Sequence, residues 1–287
     1  MKIAILSGKD GVGRSLISAN LAYLFSRHFS KVTLADCDVA HPNCHMFFKS
    51  KFNFQKSIFI QVPVVDETRC MNCGRCVQVC QFGAIKYEKK KLVISEELCH
   101  GCGSCKINCP GWAISEKGRE IGVLKTAKVD NINFIQGILK NGSSLAGPLI
   151  KEVKKSASKK GADIDLLLCA PGASRAVISA LKAVDFVVLI AENNKANLEQ
   201  TKEAVVLLRK LNIPFFIFLN RFNGEEKLFS NWAKSEDIDI ISKLPDDMEI
   251  AKIYAKEDIL LEILPEYKKY FEPLLAVAKV GEKWLKN

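Results

Sequence analysis

Eight cysteines form a repeated pattern in the middle of the chain. Four of them, Cys70, Cys73, Cys76 and Cys80, are followed 29 residues later by four with the same spacing, Cys99, Cys102, Cys105 and Cys109. An Ala-Ile pair follows each group, at residues 84–85 and 113–114. The segment is therefore an internal repeat. Closely spaced thiols of this kind indicate ligands for metal.

Three closely spaced thiolates can bind three irons of a cubane, and the fourth ligand must come from elsewhere. The segment resembles the bacterial-type two-cluster ferredoxins, with Gln81 at the position that corresponds to Pro110 in the second repeat. In those ferredoxins the fourth ligand comes from the other repeat. The resemblance implies two [4Fe–4S] clusters, one bound by Cys70, Cys73, Cys76 and Cys109, the other by Cys99, Cys102, Cys105 and Cys80. The alternatives are a disulfide framework or zinc sites, and zinc usually takes two spaced pairs of ligands.

A second pattern lies near the start of the chain, where residues 8–15 read Gly-Lys-Asp-Gly-Val-Gly-Arg-Ser. This fits the phosphate-binding pattern G-x4-G-K-[ST], except that Arg14 replaces the lysine. An apolar strand (2–6) precedes the loop and a helix (15–28) follows it. We therefore expect backbone N–H groups and the helix dipole to bind phosphates, and the Ser15 hydroxyl to bind Mg²⁺. The expected nucleotide contacts in this loop are Gly8, Lys9, Gly11, Val12, Gly13, Arg14 and Ser15.

Apolar strands alternate with amphipathic helices on both sides of the cysteine segment. This alternation predicts an α/β fold with a doubly wound, mostly parallel sheet. The cysteine segment is then an insertion. We expect a discontinuous P-loop domain at 1–59 and 119–287, and an inserted ferredoxin domain at 60–118. The charged segment 116–120 is expected to be its exit linker.

The order of motifs is similar to that of the MinD/ParA/Mrp family of P-loop ATPases, in the branch that carries an inserted ferredoxin domain. The similarity covers essentially the whole chain. It implies a dimer that closes over ATP or ADP with Mg²⁺, in which Lys9 reaches the partner's phosphates. It assigns the first switch to Asp36 and Asp38, with Lys9 and Asp38 as the catalytic residues, and adenine recognition to Asn220.

Three positions depart from that family. Arg14 stands where the family has a phosphate-binding lysine, and Asp10 stands where it usually has glycine. The family's second switch, D-x-x-P-G, has Leu168 in the aspartate position. Arginine is not a conservative replacement at a tight phosphate site. We therefore expect weak or absent ATP hydrolysis, and the alternative is a loop kept for folding that binds no nucleotide.

These features favour an ATP-responsive iron–sulfur redox protein, in which a nucleotide-dependent dimer gates electron transfer from two clusters to a redox partner protein. The expected dimer is either a homodimer or a heterodimer with a catalytically intact paralogue. One alternative is an electron carrier or iron–sulfur scaffold whose nucleotide fold is vestigial. Another is a DNA-partitioning ATPase, which would bind DNA with a steep salt dependence.

Charge and hydropathy limit the remaining classes. Lys and Arg exceed Asp and Glu by ten, and two oxidised clusters of charge about −2 each would lower this excess to about +6. We expect the lysines of 151–160 to lie on a solvated helix face, and the helix at 273–286 to pack against the sheet. Neither a nucleic acid nor a membrane is therefore the expected partner. No apolar run approaches the roughly 20 residues of a membrane span. The expected location is the cytoplasm.

Three cysteines lie outside the repeats, at Cys37, Cys44 and Cys169. Single cysteines next to buried strands usually pack as small apolar residues. His41 and His45 flank Cys44, and a metal site there would match no spacing template.

Overall fold

The computed structural model describes residues 1–49, 51–88, 91–224 and 227–285. Its strands are β1 (Lys2–Ser7), β2 (Val32–Asp36), β3 (Phe54–Val65), β4 (Ile85–Glu88), β5 (Lys91–Ile94), β6 (Ile114–Val129), β7 (Ile132–Leu139), β8 (Ile164–Leu168), β9 (Phe186–Glu192), β10 (Phe215–Phe222) and β11 (Ile240–Pro245). Within these residues, nine strands form one sheet in the order β11-β10-β9-β1-β8-β2-β7-β6-β3. Strands β4 and β5 form a separate hairpin.

Helices cover both faces of the large sheet. They are α1 (Arg14–Ser26), α2 (Arg75–Gln78), α3 (Ser104–Ile107), α4 (Ala146–Lys159), α5 (Arg175–Leu181), α6 (Lys195–Lys210), α7 (Lys227–Ser235), α8 (Met248–Ala255), α9 (Leu260–Ile263) and α10 (Glu272–Leu285). Short 3₁₀ helices span Cys44–Phe48 and Pro265–Tyr270. Among the described residues, no helix combines the length and apolar character that crossing a membrane requires.

The buried strands supply both cores because successive side chains point to opposite faces of a sheet. In β1, Ile3 and Ile5 pack with α1, α8, α9 and α10. Their neighbours Ala4 and Leu6 face the other side, and pack with α4, α5, α6 and α7. Continuous apolar strands are therefore explained by burial on both faces, and the predicted doubly wound α/β fold is confirmed.

The sheet is mostly parallel, as predicted, with one antiparallel end. Six neighbouring strand pairs run parallel, whereas β3–β6 and β6–β7 run antiparallel. The expectation of a linker at 116–120 is wrong, because these residues belong to the long strand β6 and pair with β3. Both strands cross the expected domain limits at 60 and 118. The division into a P-loop domain and an inserted ferredoxin domain stays a prediction.

The cysteine repeats lie between the ends of β3 and β6. Each repeat contains a one-turn helix, α2 or α3, which begins after a glycine in the left-handed region, Gly74 (φ 73°) or Gly103 (φ 74°). The β4–β5 hairpin lies between the repeats, and Ile85, Cys105 and Ile114 form a small core there. The segment thus folds as two similar halves, as its internal repeat indicates.

Candidate functional site

The predicted phosphate-binding loop lies between β1 and α1, at the carboxyl edge of the parallel strands. Gly11 (φ 80°) and Gly13 (φ 91°) adopt left-handed backbone conformations, which L side chains rarely take. Gly13 precedes the first residue of α1, whose N-terminal N–H groups are the usual donors to a bound phosphate. The loop therefore has the backbone that its glycines predict.

Arg14, the residue in the family's lysine position, is held by three groups of the protein itself. Its guanidinium donates to Asp10 Oδ1 at 2.6 Å and to Asp38 Oδ2 at 3.2 Å. It also donates to the carbonyl oxygen of Cys169, next to Leu168. Arg14 and Asp38 are both buried, whereas the Asp10 side chain is 75% exposed. One arginine thus connects the loop to both of the predicted switch segments.

A cavity lies between this loop, α8 and the end of β10, with a volume of about 1240 Å³ including the space open to solvent. The predicted nucleotide residues that line it are Gly11, Gly13, Arg14, Ser15 and Asn220. Asn220 is buried and donates from Nδ2 to the carbonyl oxygen of Val12 at 2.9 Å. Asn220 therefore supports the loop from behind while it faces the cavity.

The other predicted nucleotide residues lie around the cavity without lining it. Gly8 packs against α6, because a Cβ there would come within 2.5 Å of the Gln200 backbone. Lys9 has no hydrogen bond or ion pair from its amine to the described residues, and its carbonyl accepts from Ser7. Asp38 pairs with Arg14 behind the loop. The structure thus brings Asp38 to the site through Arg14, whereas the Lys9 amine contacts no partner in the described part of the chain.

Asp36 is fully buried, and its carboxylate accepts the backbone N–H groups of Asp38 (3.1 Å) and Cys44 (3.2 Å). It holds the start of the first switch in place and does not line the cavity. Burial is the largest influence on this carboxyl group and raises its pKa to about 7. The group is therefore close to half protonated at neutral pH.

The raised pKa of Asp36 predicts a loss of stability as pH rises. An acid whose pKa is higher in the folded state stabilises the fold fully below its unfolded pKa of about 4, and that stabilisation is lost as pH rises to about 7. Between pH 5 and pH 8 we expect wild type to lose about 2 to 3 kcal/mol that Asp36→Asn does not lose. Urea unfolding at both pH values measures this difference, and parallel losses in the two proteins would contradict it.

Gly13 offers a sharp test of the loop backbone. A Cβ at Gly13 would lie 2.2 Å from Asn220 Nδ2, whereas a Cβ at Gly11 would meet no atom within 4 Å. Both positions have positive φ, so Gly11→Ala isolates backbone strain, at about 1 kcal/mol, and Gly13→Ala adds the overlap, for about 2 to 4 kcal/mol in total. Urea unfolding of both variants compares these losses. Equal losses would mean that Asn220 moves away freely.

Several residues that line the cavity beside the loop were not predicted from the sequence. The wall opposite the loop contains Arg221, Asp246, Asp247, Ile250 and Tyr254. Asp247 caps α8 by accepting the N–H of Glu249 at 2.9 Å. An aspartate before an apolar helix is a recognisable cap signal. Its position in the cavity depends on the packing of α8, which the sequence alone does not give.

The second switch has no carboxylate at the predicted position. Leu168 ends β8 with its side chain buried in the core, and Gly172 donates its N–H to the carbonyl oxygen of Ser7. Cys37, Cys44 and Cys169 are buried, as small core residues are expected to be. Burial raises the pKa of the Cys169 thiol to about 12, so it is neutral at physiological pH.

The cysteines of the repeats surround two cavities. One, of about 380 Å³ including open space, is lined by Cys80, Cys99, Cys102 and Cys105; the other, of about 350 Å³, by Cys70, Cys73, Cys76 and Cys109. We call the cavity lined by Cys70 the first cluster cavity, and the cavity lined by Cys99 the second cluster cavity. Each contains three cysteines of one repeat and the fourth of the other, the combination that the ferredoxin resemblance implies. The metal assignment itself stays a prediction.

The sulfur atoms around these cavities are not as close together as the ligands of one metal ion would be. Across the described ranges, no three His, Cys, Asp or Glu side chains are grouped closely enough to hold a metal ion. Backbone N–H groups of Gly101 and Ala113 donate to the sulfurs of Cys99 (3.4 Å) and Cys109 (3.3 Å). Desolvation raises the pKa of Cys105 to about 11, so metal binding there would have to displace its proton.

The cysteine segment and the first switch contact the same part of the sheet. The amide of Gln136 on β7 donates to the carbonyl oxygen of Pro42 (3.3 Å), and Leu139 donates its N–H to Val39 (2.8 Å). Strand β7 pairs with β6, and β6 pairs with β3. Arg119 on β6 donates to the carbonyl oxygen of Cys99 at 3.0 Å. A continuous hydrogen-bonded path thus joins the first switch to the second cluster cavity.

Comparison with known proteins gives consistent matches. The family model described as the CobQ/CobB/MinD/ParA nucleotide binding domain matches residues 3–261. The uncharacterized proteins MJ0579 and MJ0578 of Methanocaldococcus jannaschii are 31% and 34% identical to the chain over 276 and 268 residues. These alignments cover 96% and 91% of this chain, and 96% and 90% of the relatives.

Solved structures have the same fold at low identity. The septum site-determining protein MinD of Pyrococcus horikoshii, complexed with Mg-ADP, superimposes with a TM-score of 0.60 at 17% identity, covering 95% of this chain and 93% of that one. The cell division ATPase MinD of Pyrococcus furiosus gives 0.59 at 18%, covering 99% and 98%. At these identities the likeness shows the fold alone.

Proposed function

Because the chain belongs to the CobQ/CobB/MinD/ParA family of nucleotide-binding domains, we propose that it is an ATP-responsive iron–sulfur redox protein. In this proposal, Mg-ATP at the loop of residues 8–15 sets the geometry of a dimer. That geometry controls electron delivery from two [4Fe–4S] clusters to a redox partner. The observation that carries the proposal is the arrangement of eight cysteines around two cavities in one chain with a phosphate-binding loop.

The nucleotide part rests on the loop and its cavity. The left-handed glycines and the start of α1 present backbone donors, and Arg14 supplies a cation beside them. The Ser15 hydroxyl and the Asp38 carboxylate are the oxygen groups suited to Mg²⁺. Arg14 pairs with Asp38 and Asp10, so phosphate must compete with these carboxylates for the guanidinium. Nucleotide binding would then release Asp38 and alter the first switch.

The cluster part rests on the fit of the cysteines. Four thiols per cavity supply the four ligands of a [4Fe–4S] cluster, and bound clusters would supply one-electron transfer. The N–H groups of Gly101 and Ala113 at sulfur atoms would stabilise thiolate charge, one of the influences that set cluster potential. The chain therefore provides ligands and hydrogen bonds suited to holding clusters.

The coupling between the two parts rests on the path through β7, β6 and β3. A shift of the first switch at Val39 or Pro42 would displace β7, because Leu139 and Gln136 donate hydrogen bonds to these residues. Ladder hydrogen bonds join β7 to β6 from Gly122 to Val129. Beyond one register shift, at Ile121, the same strand β6 holds the Cys99 loop through Arg119. Phosphate occupancy can in this way alter the position of the cysteine segment.

The dimer partner is either a second copy or an intact paralogue. Methanocaldococcus jannaschii contains two proteins similar to this chain along more than nine tenths of its length, so such chains coexist in one organism. The Lys9 amine, which has no partner among the described residues, is available to a phosphate bound by the other subunit. With Leu168 in the position of the second-switch aspartate, hydrolysis in this chain is expected to be slow or absent.

Sedimentation of the anaerobically purified, iron-loaded chain tests this function. We expect Mg-ATP to convert monomer to dimer, and Lys9→Ala to remain monomeric while still binding nucleotide. Lys2→Ala, a change of another lysine near the N-terminus outside the loop, is the matched control and should dimerise like wild type. If Mg-ATP leaves the sedimentation of wild type unchanged, both alone and mixed with a paralogue, the nucleotide-dependent dimer is wrong.

One observation favours a second candidate, an electron carrier whose nucleotide fold is vestigial. Arg14 is already neutralised by Asp10 and Asp38, as in a loop that serves folding alone. In that case calorimetry would detect no heat on titration of Mg-ATP into iron-loaded protein, while the clusters would still reduce an acceptor. A dissociation constant in the micromolar range from the same titration would favour the ATP-responsive protein.

A further inference from the structure

The two cysteine repeats differ in what they expose to solvent. Met71, Ile107 and Trp112 are 61%, 83% and 82% exposed. Each lies within three residues of Cys70 or Cys109, two cysteines of the first cluster cavity. Met71 lies against Gly111, the neighbour of Trp112, since a Cβ at Gly111 would be 3.5 Å from the Met71 methyl. We call these three side chains the apolar triad.

The repeat itself supplies the comparison. Shifted by 29 residues, Trp112 corresponds to Gly83, Ile107 to Gln78 and Met71 to His100. Both turns need a left-handed residue, with φ of 63° at Gly83 and 52° at Trp112. Glycine adopts this conformation without strain, and a large aromatic side chain is an outlier there. The second repeat thus places an exposed indole where the first uses glycine.

The second cluster cavity has its own aromatic cover. Phe82 stacks on His100, with ring centroids 3.8 Å apart and planes 8° apart, and both rings line that cavity. The counterpart of Phe82 is Gly111, where a Cβ would lie 2.8 Å from the carbonyl oxygen of Arg69. The stack therefore cannot form at the first cavity. Leu98 is half exposed next to Cys99. Tyr87 lines the first cavity and is 40% exposed, but among the described residues no ring stack like Phe82–His100 covers that cavity.

Three cations lie near the triad in the sequence or share the first cluster cavity with Met71. Arg69 pairs with Asp66 at 3.5 Å and Lys106 pairs with Glu116 at 2.6 Å. Arg75 is exposed, lines the first cluster cavity and makes no ion pair within the described ranges. An acidic partner surface would supply a carboxylate for this exposed arginine.

We propose that the apolar triad is the docking surface for an acidic redox protein, which exchanges one electron with the cluster of the first cavity. This inference rests on the proposed function, because it needs a cluster bound by Cys70, Cys73, Cys76 and Cys109. The step is an outer-sphere transfer: the reduced cluster loses one electron, the acceptor gains it, and no bond forms or breaks. Exposed aromatic residues of this kind dominate binding at protein interfaces.

The test uses the iron-loaded full chain and an acidic flavodoxin as the probe. Calorimetry measures binding in the oxidised state, and stopped-flow absorbance follows flavin reduction after the chain has been reduced with dithionite. Trp112→Gly and Ile107→Gln install the first-repeat residues and should each weaken flavodoxin binding about 10- to 100-fold. Gln78→Ala, at the counterpart of Ile107, is the matched control and should change nothing.

Stability separates docking from a structural role. Trp112→Gly removes a strained backbone conformation, so its Tm should be no lower than that of wild type, and its cluster spectra should be unchanged. Unchanged flavodoxin affinity in both variants would overturn the proposal. So would concentration-dependent self-association of wild type that Trp112→Gly abolishes, because a second copy would then occupy the surface. A chain that binds flavodoxin through Trp112 but cannot reduce even a viologen dye would support the docking surface and contradict the redox function.

Discussion

Replacing Cys70 and Cys109 together is expected to remove one cluster and leave the other intact. Both cysteines line the first cluster cavity although they lie in different repeats. Replacing Cys70 and Cys80 together should leave neither cluster intact, since these residues line different cavities although they lie in one repeat. Alanine is the preferred substitution because it has no oxygen that could replace the thiolate as a ligand.

Electron paramagnetic resonance of the reduced variants distinguishes the two pairings. Wild type should hold about eight irons, and Cys70→Ala with Cys109→Ala should retain about four irons and one four-iron signal. Cys37→Ala is the control, since Cys37 is buried away from both cavities, and it should keep both signals. If each cluster instead used one repeat only, the double variants would exchange their phenotypes. Iron absent from wild type after anaerobic reconstitution would contradict the cluster assignment altogether.

Asp10 is expected to weaken nucleotide binding. Its carboxylate lies 2.6 Å from Arg14, in the loop that would hold the phosphates, and 75% of its side chain is exposed. Removing it frees Arg14 from one competitor and removes a negative charge beside the phosphates. We expect Asp10→Gly and Asp10→Asn to tighten Mg-ATP binding about tenfold, which corresponds to about 1.4 kcal/mol.

Calorimetry of the iron-loaded variants measures this change. Asp246→Asn removes a carboxylate from the opposite wall of the same cavity and should alter affinity much less. Arg14→Ala should weaken binding, because it removes the cation that phosphate recruits. Weaker binding of Asp10→Asn than of wild type would show instead that Asp10 takes part in holding the nucleotide, through its metal ion or through the loop.

Local patterns predicted most of the fold. The apolar strands and the glycine loop carry their information in adjacent residues, so β1, β8 and β9 and the start of α1 follow from the sequence. The strand β6 did not, because residues 116–120 are charged apart from Gly118 and pair with the edge strand β3. The role of 116–120 depends on pairing with β3, about 55 residues earlier, which no local pattern contains.

The candidate site was likewise predictable only where local sequence determines it. Glycine positions and cysteine spacing located the loop and the cavities, since backbone conformation and ligand geometry require those residue types. The contacts of Arg14 were not predictable, because Asp38 and Cys169 reach it from neighbouring strands. The opposite wall around Asp247 and Tyr254 depends on how α8 packs. Side chains that meet through tertiary packing leave little signal in a single sequence.

Nucleotide bound at the loop is expected to change the rate of electron transfer from the clusters. The most direct measurement is the rate at which the dithionite-reduced, iron-loaded chain passes electrons to flavodoxin, with and without Mg-ATP, at a protein concentration where the dimer forms. We predict a change of at least severalfold that Ser15→Ala abolishes, because this variant removes the hydroxyl expected to bind Mg²⁺. Identical rates with and without Mg-ATP, in protein that demonstrably binds it, would contradict coupling between the nucleotide site and the clusters.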